Sequence, residues 1–147
     1  MKLVIQRVKK AKVVRVSDGE ITGQIGLGLF VLVGFKKGDC VKDVETFTSK
    51  LSKLRIMGDE HDKMNLSIQD VGGSVLVVSQ FTLYADINGG NRPSFVNAEE
   101  PAKAKALYEQ FISSLREKHI NVETGSFGDY MQIDAEIDGP VTIIYDD

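Results

Sequence analysis

Residues of the strongest acid–base and nucleophilic types are scarce in this chain. His61, His119 and Cys40 are the only histidines and the only cysteine. His61 lies in Asp59-Glu60-His61-Asp62, a charged stretch of loop character. His119 follows an amphipathic segment, where a cation suits the carbonyl end of a helix. Cys40 stands at an expected helix start, a place that lowers a thiol pKa, but no base accompanies it. These positions argue against a Ser-His-Asp arrangement and against a His/Cys metal cluster. No metal ligand set or cofactor motif is visible. Gly23-Gln24-Ile25-Gly26-Leu27-Gly28 lacks the spacing of a phosphate-binding loop, and a buried strand follows it instead of a helix.

Two segments hold more promise. Ser79-Gln80-Phe81-Thr82-Leu83-Tyr84 ends an apolar run, and strand ends hold side chains and free N–H groups rigidly beside solvent. Ser79 and Thr82 are candidate nucleophiles, and N–H groups around Phe81 are candidate oxyanion donors. A plain polar strand terminus is the competing reading. In Asp138-Gly139-Pro140-Val141-Thr142, proline lacks the donor a strand interior needs. Gly-Pro between two strand-like runs therefore predicts a tight turn, with an ordinary hairpin as the bland alternative.

The elements that must position these residues belong to one domain, since 147 residues leave no room for two full cores. Hydrophobic residues at 42% and charged residues at 27% exclude disordered and collagen-like classes. One cysteine excludes an intrachain disulfide, and no apolar run reaches the roughly 18–20 residues of a membrane span. Charge returns at Lys2 and Arg7, too soon for a signal peptide, so a soluble cytoplasmic protein is expected.

Apolar alternation predicts strands over Lys2–Val8 and Lys12–Val16, joined at Lys9-Lys10, and a third over Glu20–Ile25. Leu27–Phe35 and Ser74–Phe81 read as buried strands. Asp39 or Asp43 caps a helix running to about Arg55, with Val41, Val44, Phe47, Leu51 and Leu54 on one stripe. A second helix starts at Pro101 and ends near His119, with Ala104, Leu107, Phe111, Ile112 and Leu115 inward. Met64–Ile68 is ambiguous, and Ala85–Pro93 reads as a loop. Asn121–Thr124, Tyr130–Ile137 and Val141–Tyr145 are closing strands. The expected class is α/β: a single compact domain whose mixed β-sheet either curls into a barrel or forms two β layers, with two main helices packed on one face.

Net charge is −3, which argues against a DNA coat. The charge is uneven, however. Residues 1–15 hold six cations and no acid; residues 129–147 hold six acids and no base. Two strands with solvated faces explain this, as does a basic strip beside a phosphate backbone.

Taken together, Ser79-Gln80-Phe81-Thr82-Leu83-Tyr84 and Gly139-Pro140-Val141-Thr142 resemble the two signature motifs of the D-aminoacyl-tRNA deacylases. The resemblance covers the whole chain. Gln6-Arg7-Val8, Lys63-Met64-Asn65-Leu66-Ser67, Arg92-Pro93-Ser94-Phe95 and Phe127-Gly128 are family-like and fall in family order. Ile137 stands where the family pattern has asparagine, and Asn88-Gly89-Gly90-Asn91 lacks the usual lysine ahead of Arg92.

The resemblance implies a homodimer acting on the aminoacylated acceptor end of tRNA, with no cofactor, no DNA and no membrane partner. It implies a cis Gly139-Pro140 bond that reaches into the partner subunit's site and rejects L-amino acids, leaving glycine admitted. Phe81 and Thr82 would be catalytic, their N–H groups holding an oxyanion while water attacks with help from the ribose 2′-OH. Acyl transfer to Thr82 is the alternative. Ser79, Gln80, Phe81 and Phe127 would hold the terminal adenosine. Arg7 would brace the Gly-Pro segment, and Lys9, Lys10 and Arg92 would touch the tRNA backbone. The competing class is a non-catalytic dimeric module for RNA ends or a small ligand.

Overall fold

The computed structural model describes residues 1–147. Its longest strands are β1 (Lys2–Arg15) and β8 (Met131–Asp146). Between them lie β2 (Ile21–Ile25), β3 (Gly28–Gly34), helix α1 (Val41–Ser52), β4 (Met57–Gly58), β5 (Met64–Leu66), β6 (Ser74–Ser79), helix α2 (Pro101–Glu117) and β7 (Asn121–Thr124). A single 3-10 turn, Phe81–Tyr84, follows β6.

Both long strands correct an expectation. The residue pattern divides each into two strands, and each is one. In β1, Lys9 and Lys10 are exposed positions within a strand that carries on past them. In β8, both halves pair with β1 and not with each other, so Gly-Pro is not a hairpin turn. Gln6 pairs with Thr142 and Val8 with Ile137, which leaves residues 138–141 bulged opposite Arg7. A bulge frees Pro140 from the ladder donor it lacks.

The sheet order is β2-β1-β3-β6-β7, with β8 on β1. Lys2–Val8 of β1 pairs with β3 and Ala11–Val14 with β2, so β2 and β3 share one edge of β1 while β8 takes the other. β3, β6 and β7 are parallel. The sheet then curls until β2 meets the end of β7. A Cβ at Gly23 would fall 2.5 Å from the Thr124 carbonyl oxygen. The sheet is thus nearly closed into a barrel, and β4 with β5 forms a small second sheet.

Period-two alternation splits the apolar strands between two cores. Leu29, Val31 and Val33 of β3 and Val75 and Val77 of β6 face the helices, meeting Val44, Phe47 and Leu51 of α1 and Leu107, Phe111 and Leu115 of α2. Phe30, Leu76 and Val78 point the other way and fill the barrel with Val8, Ala11, Val13 and Ile25. Burial on both faces explains why these strands read as continuous apolar runs.

Helix α1 is shorter than expected, and Val41 is about half exposed rather than part of the inner stripe. Asp43 serves its start: the carboxylate accepts the Cys40 N–H at 2.8 Å. That bond holds the Asp43 pKa below the usual carboxylate value. Asp39 is buried instead, accepting from the Met1 ammonium at 3.0 Å and the Lys36 N–H at 2.7 Å. Beyond α2, His119 adopts φ +60°, the left-handed conformation that ends many helices. The two charge blocks face each other across β1 and β8 as Lys2–Asp146, Lys10–Glu136 and Lys12–Asp134 pairs, the first at 2.9 Å. Pairs this exposed stabilise little, but they neutralise much of the basic strip.

Candidate functional site

Strand β6 is buried until Ser79, and the chain then turns into the Phe81–Tyr84 3-10 helix at the surface. The Gln80 N–H still donates to Val33 of the neighbouring strand at 2.8 Å, which anchors the turn to the sheet. The first N–H groups of any helix lack intrahelical acceptors. Those of Phe81 and Thr82 donate to no carbonyl outside the turn either. Two rigidly held donors therefore stand free beside solvent. The Thr82 hydroxyl accepts a hydrogen bond from the Gln80 amide. No histidine, lysine or carboxylate is hydrogen-bonded to that hydroxyl.

This turn forms one wall of a cleft of about 870 Å³. Ser79, Gln80, Phe81 and Thr82 line it together with Phe127 from the segment after β7. Phe81 is half exposed and meets Phe95 edge-on, ring centroids 4.9 Å apart. Phe127 packs toward the core, its ring 5.7 Å from that of Tyr108, and presents another side to the cleft. Tyr108 donates its hydroxyl to the Val77 carbonyl at 2.8 Å, and burial pushes its pKa upward. It is thus a fixed support under the Phe127 wall.

Sequence reasoning missed most of the cleft. Glu99, Glu100 and Ala104 arrive from the start of α2, and Asp129, Tyr130 and Met131 from the approach to β8. Glu99 is held by Lys103 at 2.7 Å, which lowers its pKa. Phe95 carried a signal in the quoted Arg92-Pro93-Ser94-Phe95 run. The others carried none, because contacts between segments far apart in sequence leave no local pattern.

The remaining named residues lie elsewhere. Gly139 and Pro140 are exposed in the β8 bulge and do not line this chain's cleft. Their peptide bond is cis, and Gly139 has φ +119°. A Cβ there would lie 2.8 Å from Val141 Cγ2 and 3.2 Å from Arg7 Nη2. Arg7 backs the bulge. Its Nε lies 3.0 Å from the Asp138 carboxylate and 3.3 Å from the Asp138 carbonyl, and Nη1 donates to Ile56 at 2.9 Å. Lys10 is paired with Glu136, Lys9 makes no ion pair, and Arg92 is exposed in the segment that follows the first motif. No group of three or more His, Cys, Asp or Glu residues is arranged to hold a metal. No helix is long and apolar enough to cross a membrane.

The family pattern described as D-Tyr-tRNA(Tyr) deacylase matches residues 4–146. A D-aminoacyl-tRNA deacylase of Aquifex aeolicus (strain VF5) is 50% identical over 146 residues, covering 99% of this chain and 97% of the relative. One from Thermotoga petrophila (strain RKU-1) is 51% identical with the same coverage. Among solved structures, a "c-Myc DNA Unwinding Element Binding Protein" superposes with TM-score 0.92 at 37% identity, covering 100% of this chain and 99% of the other. A "probable eukaryotic D-amino acid tRNA deacylase" superposes with TM-score 0.82 at 16% identity, covering 98% and 97%, and shares the fold.

Proposed function

The chain belongs to the D-Tyr-tRNA(Tyr) deacylase family, and from that premise we propose that it hydrolyses the ester joining a D-amino acid to the terminal ribose of tRNA, as a cytoplasmic proofreading enzyme. The observation that carries the reading is the pair of free N–H groups at Phe81 and Thr82 in the cleft wall. An aminoacyl ester is already activated, so a modest catalyst suffices. Preorganised N–H donors supply what its hydrolysis needs, stabilisation of the oxygen that becomes negative.

Water is the nucleophile in this reading, and the terminal ribose 2′-OH assists. Thr82 has no base to deprotonate it, and its hydroxyl is occupied by Gln80, which weighs against an acyl-Thr82 intermediate. Ser79, Gln80 and Phe81 hold the terminal adenosine against Phe127. Lys9, Lys10 and Arg92 touch nearby phosphates, Lys10 only by exchanging its partner Glu136.

Chirality is read by Gly139-Pro140 of a second copy in a homodimer. Within one chain the bulge stands outside the cleft, exposed and braced by Arg7, as a segment lent to another subunit must. Its carbonyl oxygens would take the substrate ammonium and leave no room for an L side chain. Glycine has no side chain to exclude, so glycyl-tRNA, including that mischarged on tRNA(Ala), is also a substrate. One solved relative's name refers to a DNA element. The net charge of −3 and the pairing of Lys10 and Lys12 with acids weigh against duplex DNA as a ligand here.

The test sets D-tyrosyl-tRNA beside L-tyrosyl-tRNA. Release of tyrosine from the D form alone is expected, from a species of twice the 16.2 kDa chain mass in sedimentation. Binding of both without hydrolysis would return the protein to the class of RNA-end modules.

A further inference from the structure

The basic strip on β1 is largely neutralised by β8, so the cations left free elsewhere matter more for an RNA ligand. A groove of about 490 Å³ runs along the end of α1, lined by Thr46, Ser49, Lys50, Lys53, Leu54, Arg55 and Tyr145. It contains three cations and no carboxylate. Lys50, Lys53 and Arg55 are exposed, and none of the chain's ion pairs uses them. The groove has a firm base. Tyr145 stacks on Phe47 at 4.3 Å, and Arg55 is oriented by Nε donating to the Asn65 carbonyl at 2.6 Å. Part of this positive charge suits the carbonyl end of α1. The helix end does not account for Arg55, which lies beyond it.

Position makes the groove informative. Arg55 adjoins Ile56, whose carbonyl receives Arg7 Nη1, and Arg7 Nε is held by Asp138 beside Gly139. Tyr145, on the far side, pairs with Leu3, while Gly139 bulges opposite Arg7, four residues away along β1 and roughly 13 Å at strand rise. A helical nucleic-acid strand sets one phosphate about every 3.4 Å, so about four phosphates span that length. The groove and the Gly-Pro bulge therefore lie on connected ground within reach of one acceptor strand.

We propose that Lys50, Lys53 and Arg55 form a phosphodiester-binding groove that holds the acceptor strand of the tRNA whose terminal adenosine occupies the partner subunit's cleft. This rests on the deacylase reading and on the lent Gly-Pro segment. Each subunit then contributes two things to its partner's substrate: the chirality filter and a grip on the RNA backbone. The terminal nucleoside is gripped by a cleft with acidic residues at Glu99, Glu100 and Asp129, which disfavours phosphates there. Splitting the tasks places the backbone where cations line the groove and no carboxylate does.

The experiment compares wild type with Lys50→Gln/Lys53→Gln on two substrates: D-tyrosyl-tRNA and D-tyrosyl-adenosine, the same ester without the acceptor strand. For the tRNA, KM should rise about tenfold at low salt. The slope of log(kcat/KM) against log[salt] should flatten by about 1.5, some 0.7–0.9 per lost phosphate contact. Hydrolysis of D-tyrosyl-adenosine should be unchanged, which also shows that the fold is intact. Lys50→Arg/Lys53→Arg should restore the wild-type slope. An unaltered slope in the glutamine variant, with wild type active, overturns the groove assignment alone. Equal losses on both substrates overturn it too, since the lysines would then act through the fold. A wild type inert toward both esters removes the deacylase reading and this inference with it.

Discussion

At the scale of single residues, the proposed site depends on main chain more than on side chains. The proposed oxyanion donors at Phe81 and Thr82 are N–H groups, which survive substitution of their own side chains. Thr82→Ala should therefore keep kcat/KM within about tenfold of wild type, whereas loss of one oxyanion donor typically costs about 10²–10³ in rate. Single-turnover hydrolysis of D-tyrosyl-tRNA measures this, and an acyl ester trapped on Thr82 would contradict it. Gly28 shows the same dependence in the scaffold. A Cβ there would sit 1.9 Å from the Ser74 carbonyl oxygen, at the first pairing of β3 with β6. Backbone cannot yield as a flexible side chain does. Gly28→Ala should destabilise by about 3 kcal/mol or more in urea unfolding. The sequence marked Gly28 only as part of a glycine run with the wrong spacing for phosphate. Its steric role is visible only once two strands distant in sequence are seen to touch.

Elements were legible where one periodicity governed them. The buried strands β3 and β6 and the inner face of α2 follow from apolar spacing alone. The reading failed at β1 and β8, where polar or proline residues interrupt the pattern while pairing continues. Lys9-Lys10 and Gly139-Pro140 look like breaks, yet a partner strand spans both. Such continuity is a property of the pair of strands, not of either one. Helix packing contains a similar pairwise feature. Thr48 and Ser114 meet at 2.8 Å between α1 and α2, both buried. Thr48 also donates to the Val44 carbonyl at 2.9 Å, while Ser114 has only a long contact from Lys118, at 3.5 Å. The two hydroxyls should respond unequally. Thr48→Val strands a buried Ser114 hydroxyl and should cost about 1–2 kcal/mol, while Ser114→Ala leaves Thr48 satisfied and should cost less. In a double-mutant cycle the combined variant should recover part of the Thr48→Val loss. Strict additivity would mean that the contact contributes nothing.

Over the whole molecule, five of the six carboxylates held below their ordinary pKa lie at connections and not in the cores, the sixth being Asp147 beside the Met1 ammonium and Lys36. Asp18 is lowered chiefly by its bond with Arg15 in the turn after β1, and Asp43 by the Cys40 N–H at the head of α1. Asp59 is lowered by the Lys63 N–H between β4 and β5, Asp70 by the Ser67 hydroxyl before β6, and Glu99 by Lys103 ahead of α2. A carboxyl with a lower pKa folded than unfolded contributes its full stabilisation above the unfolded value, near 4. That contribution disappears as pH falls through the folded value. Stability should therefore decline on acidification below about pH 4. Urea midpoints measured by circular dichroism at pH 7, 5 and 3 test this, and a midpoint at pH 3 equal to that at pH 7 would refute it. The location of the five groups adds a finer expectation. Hydrogen exchange near pH 3 should rise first in the turns they hold, while β3 and β6, apolar on both faces, stay protected. Glu99 gives this acid response a functional side, because it stands in the wall of the cleft. Protonating Glu99 releases Lys103, so binding of a D-tyrosyl-adenosine analogue should weaken as the pH falls over the same acid range, and an affinity that does not change across it would refute this role for the pair.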